Sequence, residues 1–402
     1  MTHSLHALSL LLAAGAATAV SAQSDYVNPH ENETIGEVEQ IYSGDLLPDM
    51  AVATFRNIHR LFPTATVAAN GTARELPPSD RTLGPIDVEI GGQSYDLDDY
   101  LALNSVTGLL VLKDGETVYE VYQRGNTPET RWMSMSVVKS ITSTLVGAAL
   151  RDGHIESLDD NVADYVPALA GSAYDGVSIK DILLMASGVA WDETYTDPES
   201  DRRDLLRAQL AQEDGALMEV MAALPRAGEP GTIHNYSTGE TSVLSEVVQG
   251  AVGGSVAEFL SEKIWTPYGM ETDAEWWLDS EGGHVIGGSG LSATLRDYAR
   301  FGQFFLEGGA GVLPEGWTDT AGLPQTLETG ETIEYGYMWW PAWTEASIED
   351  EAYAAIGIQG QYVYINPAEQ VVIAVTAAQP EPLGKEPVEP MEFLDAIVAA
   401  IE

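Results

Sequence analysis

Strand-like text stands at both ends of this 402-residue chain, and helix-like text fills the middle. Leu109 to Lys113 and Glu116 to Arg124 read as strands, and the Asp114-Gly115 pair between them is a strong hairpin signature. Far along the chain come further strand signals at Glu334 to Trp340, Ala354 to Ile358, Tyr362 to Ile365 and Val371 to Thr376, with Asn366-Pro367 making the last turn. Helical apolar spacing marks Ile179 to Met185, Asp201 to Ala223, Thr241 to Gly250, Val256 to Trp265 and Asp297 to Leu306, and Met391 to Ile401 reads as a closing helix. The simplest packing is a mainly antiparallel sheet built from both ends of the chain, flanked by helices and carrying an inserted helical lobe, an α+β or α/β arrangement. The expected division is a sheet domain over 86–155 and 285–402, a helical lobe over 156–284, and a polar, proline-bearing extension over 23–85 with one helix near Met50 to Leu61.

A helix opening at Ser136 follows the first hairpin and stops at Gly153, a good C-terminal breaker. It begins Ser136-Val137-Val138-Lys139, the only Ser-x-x-Lys in the chain, and continues apolar to Leu150. Three residues is almost one helical turn, so Ser136 and Lys139 share a face. A helix N-terminus favours negative charge, and a lysine among apolar neighbours loses proton affinity by desolvation. Such a lysine can take the serine's proton or hold a partner that does. The same four residues also suit a surface lysine at a helix start.

Two further segments carry chemistry. His234-Asn235-Tyr236-Ser237-Thr238-Gly239 places a tyrosine in a turn before a helix. Beside a lysine ammonium a phenol ionises more easily, and as phenolate it is a competent base for a serine. A buried tyrosine with a hydrogen-bonded hydroxyl is the plainer alternative. Ala355-Ile356-Gly357-Ile358-Gln359-Gly360-Gln361 is a glycine-rich strand edge. It lets a substrate approach the backbone and present a carbonyl oxygen to an N–H, or it is simply a tight bend.

Composition removes other classes. Eighteen basic against 62 acidic side chains give a net charge of −44, which repels nucleic-acid backbones and anionic lipid. The acids are spread along the chain, a pattern that also suits salty surroundings. Cysteine is absent, which rules out thiol catalysis, disulfides and Cys-ligated zinc, and the seven histidines show no paired metal spacing. Neither a metal nor another cofactor is expected. Asp96-Leu97-Asp98-Asp99 lacks the glycine and closing glutamate of a calcium loop and reads as a helix cap. Ala7 to Val20, ending in Val20-Ser21-Ala22, reads as a signal peptide over 1–22, although its start carries only His3 and His6. The expected product is periplasmic or secreted, with no membrane attachment after cleavage.

Taken in order, these segments resemble the serine β-lactamase and penicillin-recognising superfamily. The nearer likeness is to its class-C-like branch, and within it to the 6-aminohexanoate-dimer (nylon oligomer) hydrolases. It extends over about residues 100–380 and includes Trp132-Met133-Ser134-Met135-Ser136, Asp181 to Gly188, Trp191 to Pro198, Gly290 to Thr294 and Tyr335-Gly336-Tyr337-Met338-Trp339-Trp340. The resemblance implies that Ser136 is the acylated nucleophile, Lys139 the lysine that tunes it, and Tyr236 the general base and acid. It implies an oxyanion hole from the backbone N–H groups of Ser136 and Ile358, and substrate contacts from Tyr195, Trp191, Gly357 and Gln361.

Two departures from the family text bear on specificity. Thr238 stands where the Asn of Tyr-x-Asn is usual, and Ala355-Ile356-Gly357 replaces the cationic Lys-Thr-Gly or His-Thr-Gly. The Asn holds an acyl amide and the cation helps hold a β-lactam carboxylate, so linear amides or esters become the expected substrates. A β-lactamase or D-Ala-type peptidase and a catalytically silent binding protein are the rivals. The Gly-x-Ser-x-Gly elbow of α/β-hydrolases is absent, and Gly288-Ser289-Gly290-Leu291-Ser292-Ala293 sits in no strand–helix unit of the dinucleotide-binding kind.

Overall fold

The computed structural model describes residues 28–384 and 386–402. The expected leader at 1–22 lies outside them. Along the chain, the strands of the two main sheets are β1 (Thr64–Val67), β2 (Val106–Lys113), β3 (Glu116–Tyr122), β4 (Arg131–Met133), β5 (Ala274–Trp277), β6 (Leu291–Thr294), β7 (Trp340–Pro341), β8 (Tyr353–Gly357), β9 (Gln361–Asn366) and β10 (Val371–Ala377). The helices nearest the argument are α1 (Val137–Asp152), α2 (Ile179–Leu183), α3 (Asp201–Ala211), α4 (Ala216–Ala223), α5 (Thr238–Val252), α6 (Leu295–Leu306) and α7 (Pro390–Ala399).

The larger sheet runs β7-β8-β9-β10-β2-β3 and is antiparallel throughout. Its hairpin turns at Asp114 and Gly115, both at positive φ, as a tight two-residue turn requires. The join of β10 to β2, from Val371 opposite Lys113 to Ala377 opposite Val106, closes the sheet from the two ends of the chain. Alternate side chains go to two cores, as the strand period of two demands. Leu110, Leu112, Val363, Val372 and Ala374 pack with Phe301, Phe304 and Phe305 of α6 and with Ile141 of α1. Leu109, Val111, Tyr364, Ile373 and Val375 pack with Met391, Phe393, Leu394 and Ile397 of α7. Burying each such side chain is worth roughly 1.5–3 kcal/mol, so this double-faced sheet is a stiff base for what stands on it.

A second sheet, β1-β5-β6-β4, was not foreseen. It joins Thr64–Val67 to Ala274–Trp277 and Arg131–Met133 to Leu291–Thr294, so a strand from the range read as an extension pairs with one from the range read as a lobe. Other expectations need correction. Glu334 to Trp340 is not a strand: Tyr335 and Trp339 are buried, but Met338 turns left-handed at φ 61° and the Gly336 N–H donates to the Trp339 carbonyl. The helix expected over Asp201 to Ala223 is two, α3 and α4, parted where Gln212 and Gly215 adopt positive φ. Asp96 caps a short helix, Leu97–Leu103, as read.

Helix α1 is buried along nearly its whole length and ends on Gly153 at φ 78°. Its polar side chains are satisfied in place: Ser140 Oγ donates to the Met338 carbonyl at 2.6 Å and Thr142 Oγ1 to the Gly287 carbonyl at 2.8 Å. These bonds fix the rotation of the helix, and with it the direction of Ser136 and Lys139.

Candidate active site

The chain leaves β4, is pinned by the Ser134 N–H donating to the Leu291 carbonyl at 2.8 Å, and turns through Met135 at φ 45°. A left-handed methionine is a strained conformation that the packing around it must hold. The turn delivers Ser136 to the start of α1, with Lys139 one turn further in. Lys139 is 1 % exposed. Its Nζ donates to Thr238 Oγ1 at 2.9 Å and to the Gly288 carbonyl at 2.7 Å. Gly288 must lack a side chain here, because a Cβ would stand 2.9 Å from that nitrogen. Burial lowers the ammonium's pKa to about 7, against the opposing pull of Glu193.

Tyr236 arrives from the turn ahead of α5. It lines the same cavity wall as Ser136, and Lys139 Nζ stands 5.6 Å from its ring centre. Burial pushes its pKa well above the ordinary phenol range, the negative charge of Glu193 pushes the same way, and the neighbouring Ser136 hydroxyl opposes both. Tyr335 meets the ring edge-on at 6.1 Å and Trp340 lies tilted against it at 5.5 Å. The hydroxyl and the amine of one segment and the phenol of another, about a hundred residues on, therefore meet at one point.

Strand β8 passes the same point. Gly357 lies so close to the Ser136 turn that a Cβ would come within 2.7 Å of the Ser134 carbonyl oxygen and 3.0 Å of Met135 Cβ. Ile358 follows at the strand's end. Neither the Ser136 nor the Ile358 N–H donates to another protein group among the described residues.

These groups open into a cavity of about 740 Å³. Ser136, Tyr236 and Ile358 form one part of its wall, and Ile356, Trp340, Trp343, Pro382 and Leu383 make it largely apolar. Glu193 and Glu381 are its charged lining residues, and no lysine or arginine lines it. Tyr195 lines it as expected, braced from behind by Tyr42, whose ring stacks at 6.3 Å with 13° between planes. No cluster of three or more His, Asp or Glu side chains among the described residues is arranged to hold a metal.

Three expected substrate contacts lie one layer behind the wall. Gln361 is buried and committed to the protein: its Oε1 accepts from Trp132 Nε1 at 3.0 Å and the Ala377 N–H at 3.1 Å, and its Nε2 donates to the Ala377 and Gln359 carbonyls at 2.8 and 2.9 Å. Gly357 supports the wall by its lack of a side chain, and Trp191 turns its indole N–H to Glu193. Trp276 and Trp339 are core residues. Sequence reasoning missed Glu193, Trp340, Trp343 and the Glu381–Leu383 rim; Glu193 was in view only as part of the Trp191 to Pro198 text.

Known proteins share this chain's sequence and fold. The Beta-lactamase family model matches residues 105–396. The 6-aminohexanoate-dimer hydrolase of Paenarthrobacter ureafaciens is 31% identical over 346 residues, which span 82% of this chain and 85% of that one. The chain belongs to the beta-lactamase family. A Bacillus anthracis structure provisionally named a 6-aminohexanoate-dimer hydrolase superposes with a TM-score of 0.77 at 21% identity, covering 90% of this chain and 97% of its own. A class C beta-lactamase shares the fold at a TM-score of 0.54 and 20% identity, covering 75% of this chain and 92% of its own. As a beta-lactamase-family serine hydrolase, the protein is an enzyme. Within that family it carries Thr238 where a carboxamide, and Ala355 where a cationic group, was expected to meet substrate.

Proposed function

We propose that this serine hydrolase cleaves a linear amide or ester through an acyl-enzyme on Ser136. Tyr236 takes the Ser136 proton as the hydroxyl attacks, with Lys139 accepting charge beside it, and passes a proton to the leaving group. The N–H groups of Ser136 and Ile358 stabilise the oxyanion, a contribution of the kind whose loss costs about 10²–10³ in rate. Water, activated by the same phenol, then releases the acyl group. The observation that carries this reading is the meeting of Ser136 and Tyr236 beside a buried Lys139, at the wall of an apolar cavity.

The lining supports an uncharged, extended substrate. Apolar side chains reward burial of methylene groups, at roughly 0.8 kcal/mol each. Two carboxylates and no cation disfavour a substrate carboxylate, which sets β-lactams and D-Ala peptides below linear amides and esters. The similarity to the 6-aminohexanoate-dimer hydrolase supports an amide among the substrates. Export is also proposed, on the sequence of residues 1–22, and N-terminal sequencing of the secreted protein would test it.

The test is a panel of p-nitrophenyl esters, aminohexanoate oligomers, D-amino-acid amides and nitrocefin, with Ser136→Ala as control and a fluorophosphonate probe alongside. Labelling of Ser136 with turnover of linear substrates supports the reading. Wild-type protein that is neither labelled nor active on any of them overturns it and favours a silent binding protein; dominant nitrocefin turnover favours a β-lactamase.

A further inference from the structure

One buried chain of hydrogen bonds at the site has no part in the reaction as just described. Lys139 Nζ donates to Thr238 Oγ1 at 2.9 Å, and Thr238 Oγ1 in turn donates to Glu193 Oε1. Glu193 Oε2 accepts from the Thr238 N–H at 2.8 Å and from the Trp191 indole. The Thr238 hydroxyl has one proton to give. Because the carboxylate takes it, the oxygen's remaining lone pairs face the lysine, and Thr238 can only accept from Lys139. The carboxylate thus sets the direction of the whole chain from a residue on a different loop.

We propose that Glu193, acting through Thr238, is the positioning residue that orients Lys139 and favours its charged form. The inference rests on the acyl-serine reading and deepens it. Thr238 occupies the place where the family text has Asn, and in this chain that place is used to couple a carboxylate to the lysine.

The surrounding charges are few. Lys139 faces Glu193, Arg202 and the Tyr236 phenol. Glu193 in turn faces Arg202, whose Nε is 3.9 Å from Oε1, together with Tyr195 and Tyr236. Arg202 is itself buried with its guanidinium 4.2 Å from the centre of the Tyr42 ring. Both arginine and burial drive Lys139 toward the neutral amine, and Glu193 is the group that opposes them. A lysine that never charges cannot stabilise a Tyr236 phenolate. A lysine that never discharges leaves the pair without a place for the serine's proton. Glu193 holds it between these limits.

The experiment reads the rate at which a fluorophosphonate labels Ser136 as a function of pH, in wild type and in four variants. Wild type should show a limb rising with pH as the Lys139–Tyr236 pair loses its first proton. Glu193→Gln removes the charge and keeps the shape; it should move that limb down by about one pH unit and slow labelling on the plateau. Thr238→Val, which keeps volume but cannot relay, should move the limb the same way. Thr238→Ser restores the hydroxyl and should return the limb to its wild-type position, and Glu193→Asp, shorter but charged, should slow the plateau without moving the limb. The double variant Glu193→Gln, Thr238→Val should shift no further than the larger single one, as one chain cut twice requires. Limbs that stay in place in Glu193→Gln and Thr238→Val while thermal stability falls would overturn the proposal and leave both residues structural. A limb moved upward would overturn it as well. Wild-type protein that is not labelled at all would instead overturn the acyl-serine reading beneath it.

Discussion

Lys139 Nζ donates to the carbonyl oxygen of Gly288 across 2.7 Å, buried where α1 packs against α5. A carbonyl can accept from either an ammonium or an amine, so the bond fixes where the nitrogen is and leaves its charge free to change. Burial lowers that charge change to about pH 7, whereas the neighbouring phenol alone would ionise far higher.

A first prediction concerns pH. The two groups share protons and titrate as a pair. Below about pH 7 the pair is fully protonated, as ammonium and phenol, and has no site for the Ser136 proton. Above it, one proton is gone, and the amine–phenol and ammonium–phenolate forms are two arrangements of the same state. The kcat/KM of an uncharged substrate should therefore rise with pH through an apparent pKa near 7, the direction set by a lysine whose affinity is depressed. A profile that falls across that range would contradict the pair as the base.

Gly357→Ala tests the oxyanion geometry. The new Cβ would meet the Ser134 carbonyl at 2.7 Å and the Cβ atoms of Met135 and Gln361 at 3.0 Å, and the carbonyl belongs to backbone that cannot swing away. Strand β8 has to shift, taking the Ile358 N–H with it. We expect kcat to fall by up to about 10²–10³ with a smaller change in KM, and overpacking to lower stability by about 1–3 kcal/mol. Steady-state kinetics and urea unfolding measure the two separately.

Gln361→Leu should act mainly on stability. It takes the acceptor from Trp132 Nε1 and the Ala377 N–H and a donor from the Ala377 and Gln359 carbonyls, of which Gln359 keeps the Gln379 N–H at 3.3 Å. Leaving buried polar groups unpaired costs about 1–3 kcal/mol each, relieved in part by local repacking, so a loss of about 3 kcal/mol is expected. Chemical denaturation with coincident fluorescence and circular-dichroism transitions would measure it. Retained stability with abolished binding would instead restore Gln361 to the substrate.

What the sequence made legible follows the length scale of each signal. The Asp114–Gly115 hairpin and the α1 helix ended by Gly153 are written in neighbouring residues and were readable. So was the convergence of Ser136, Lys139 and Tyr236, because the family resemblance supplied the long-range pairing that local text lacks. The second sheet was invisible. Its strands are only three or four residues, too short to show a period, and Thr64–Val67 finds its partner at Ala274–Trp277. Tyr335 and Trp339 misled because a buried aromatic is buried in a turn as well as in a strand. Trp191, Gly357 and Gln361 were rightly placed near the site, but adjacency in the chain does not say which residue of a segment faces the cavity. Glu193 was hidden among 62 acidic residues, distinguished only by the Thr238 hydroxyl that folding brings to it.

Trp343→Ala separates substrate binding from chemistry. Trp343 is half exposed at the cavity rim, next to the similarly exposed Leu383, and neither touches the Ser136–Lys139–Tyr236 group in any hydrogen bond or ring contact. A large apolar side chain left in water is a standing cost that a bound apolar chain removes. Removing it should leave the fold intact and raise KM for long-chain esters by about tenfold, the equivalent of about 1.4 kcal/mol of lost burial. Short acetyl esters, which cannot reach the rim, should be hydrolysed with unchanged KM and kcat. A chain-length series on wild type and Trp343→Ala reads this directly, because the two lines of log(kcat/KM) against carbon number should coincide at short lengths and diverge as the chain meets the rim. Equal loss at every length would mean that the tryptophan acts on the catalytic group after all, through Trp340 and the Tyr236 ring it packs against.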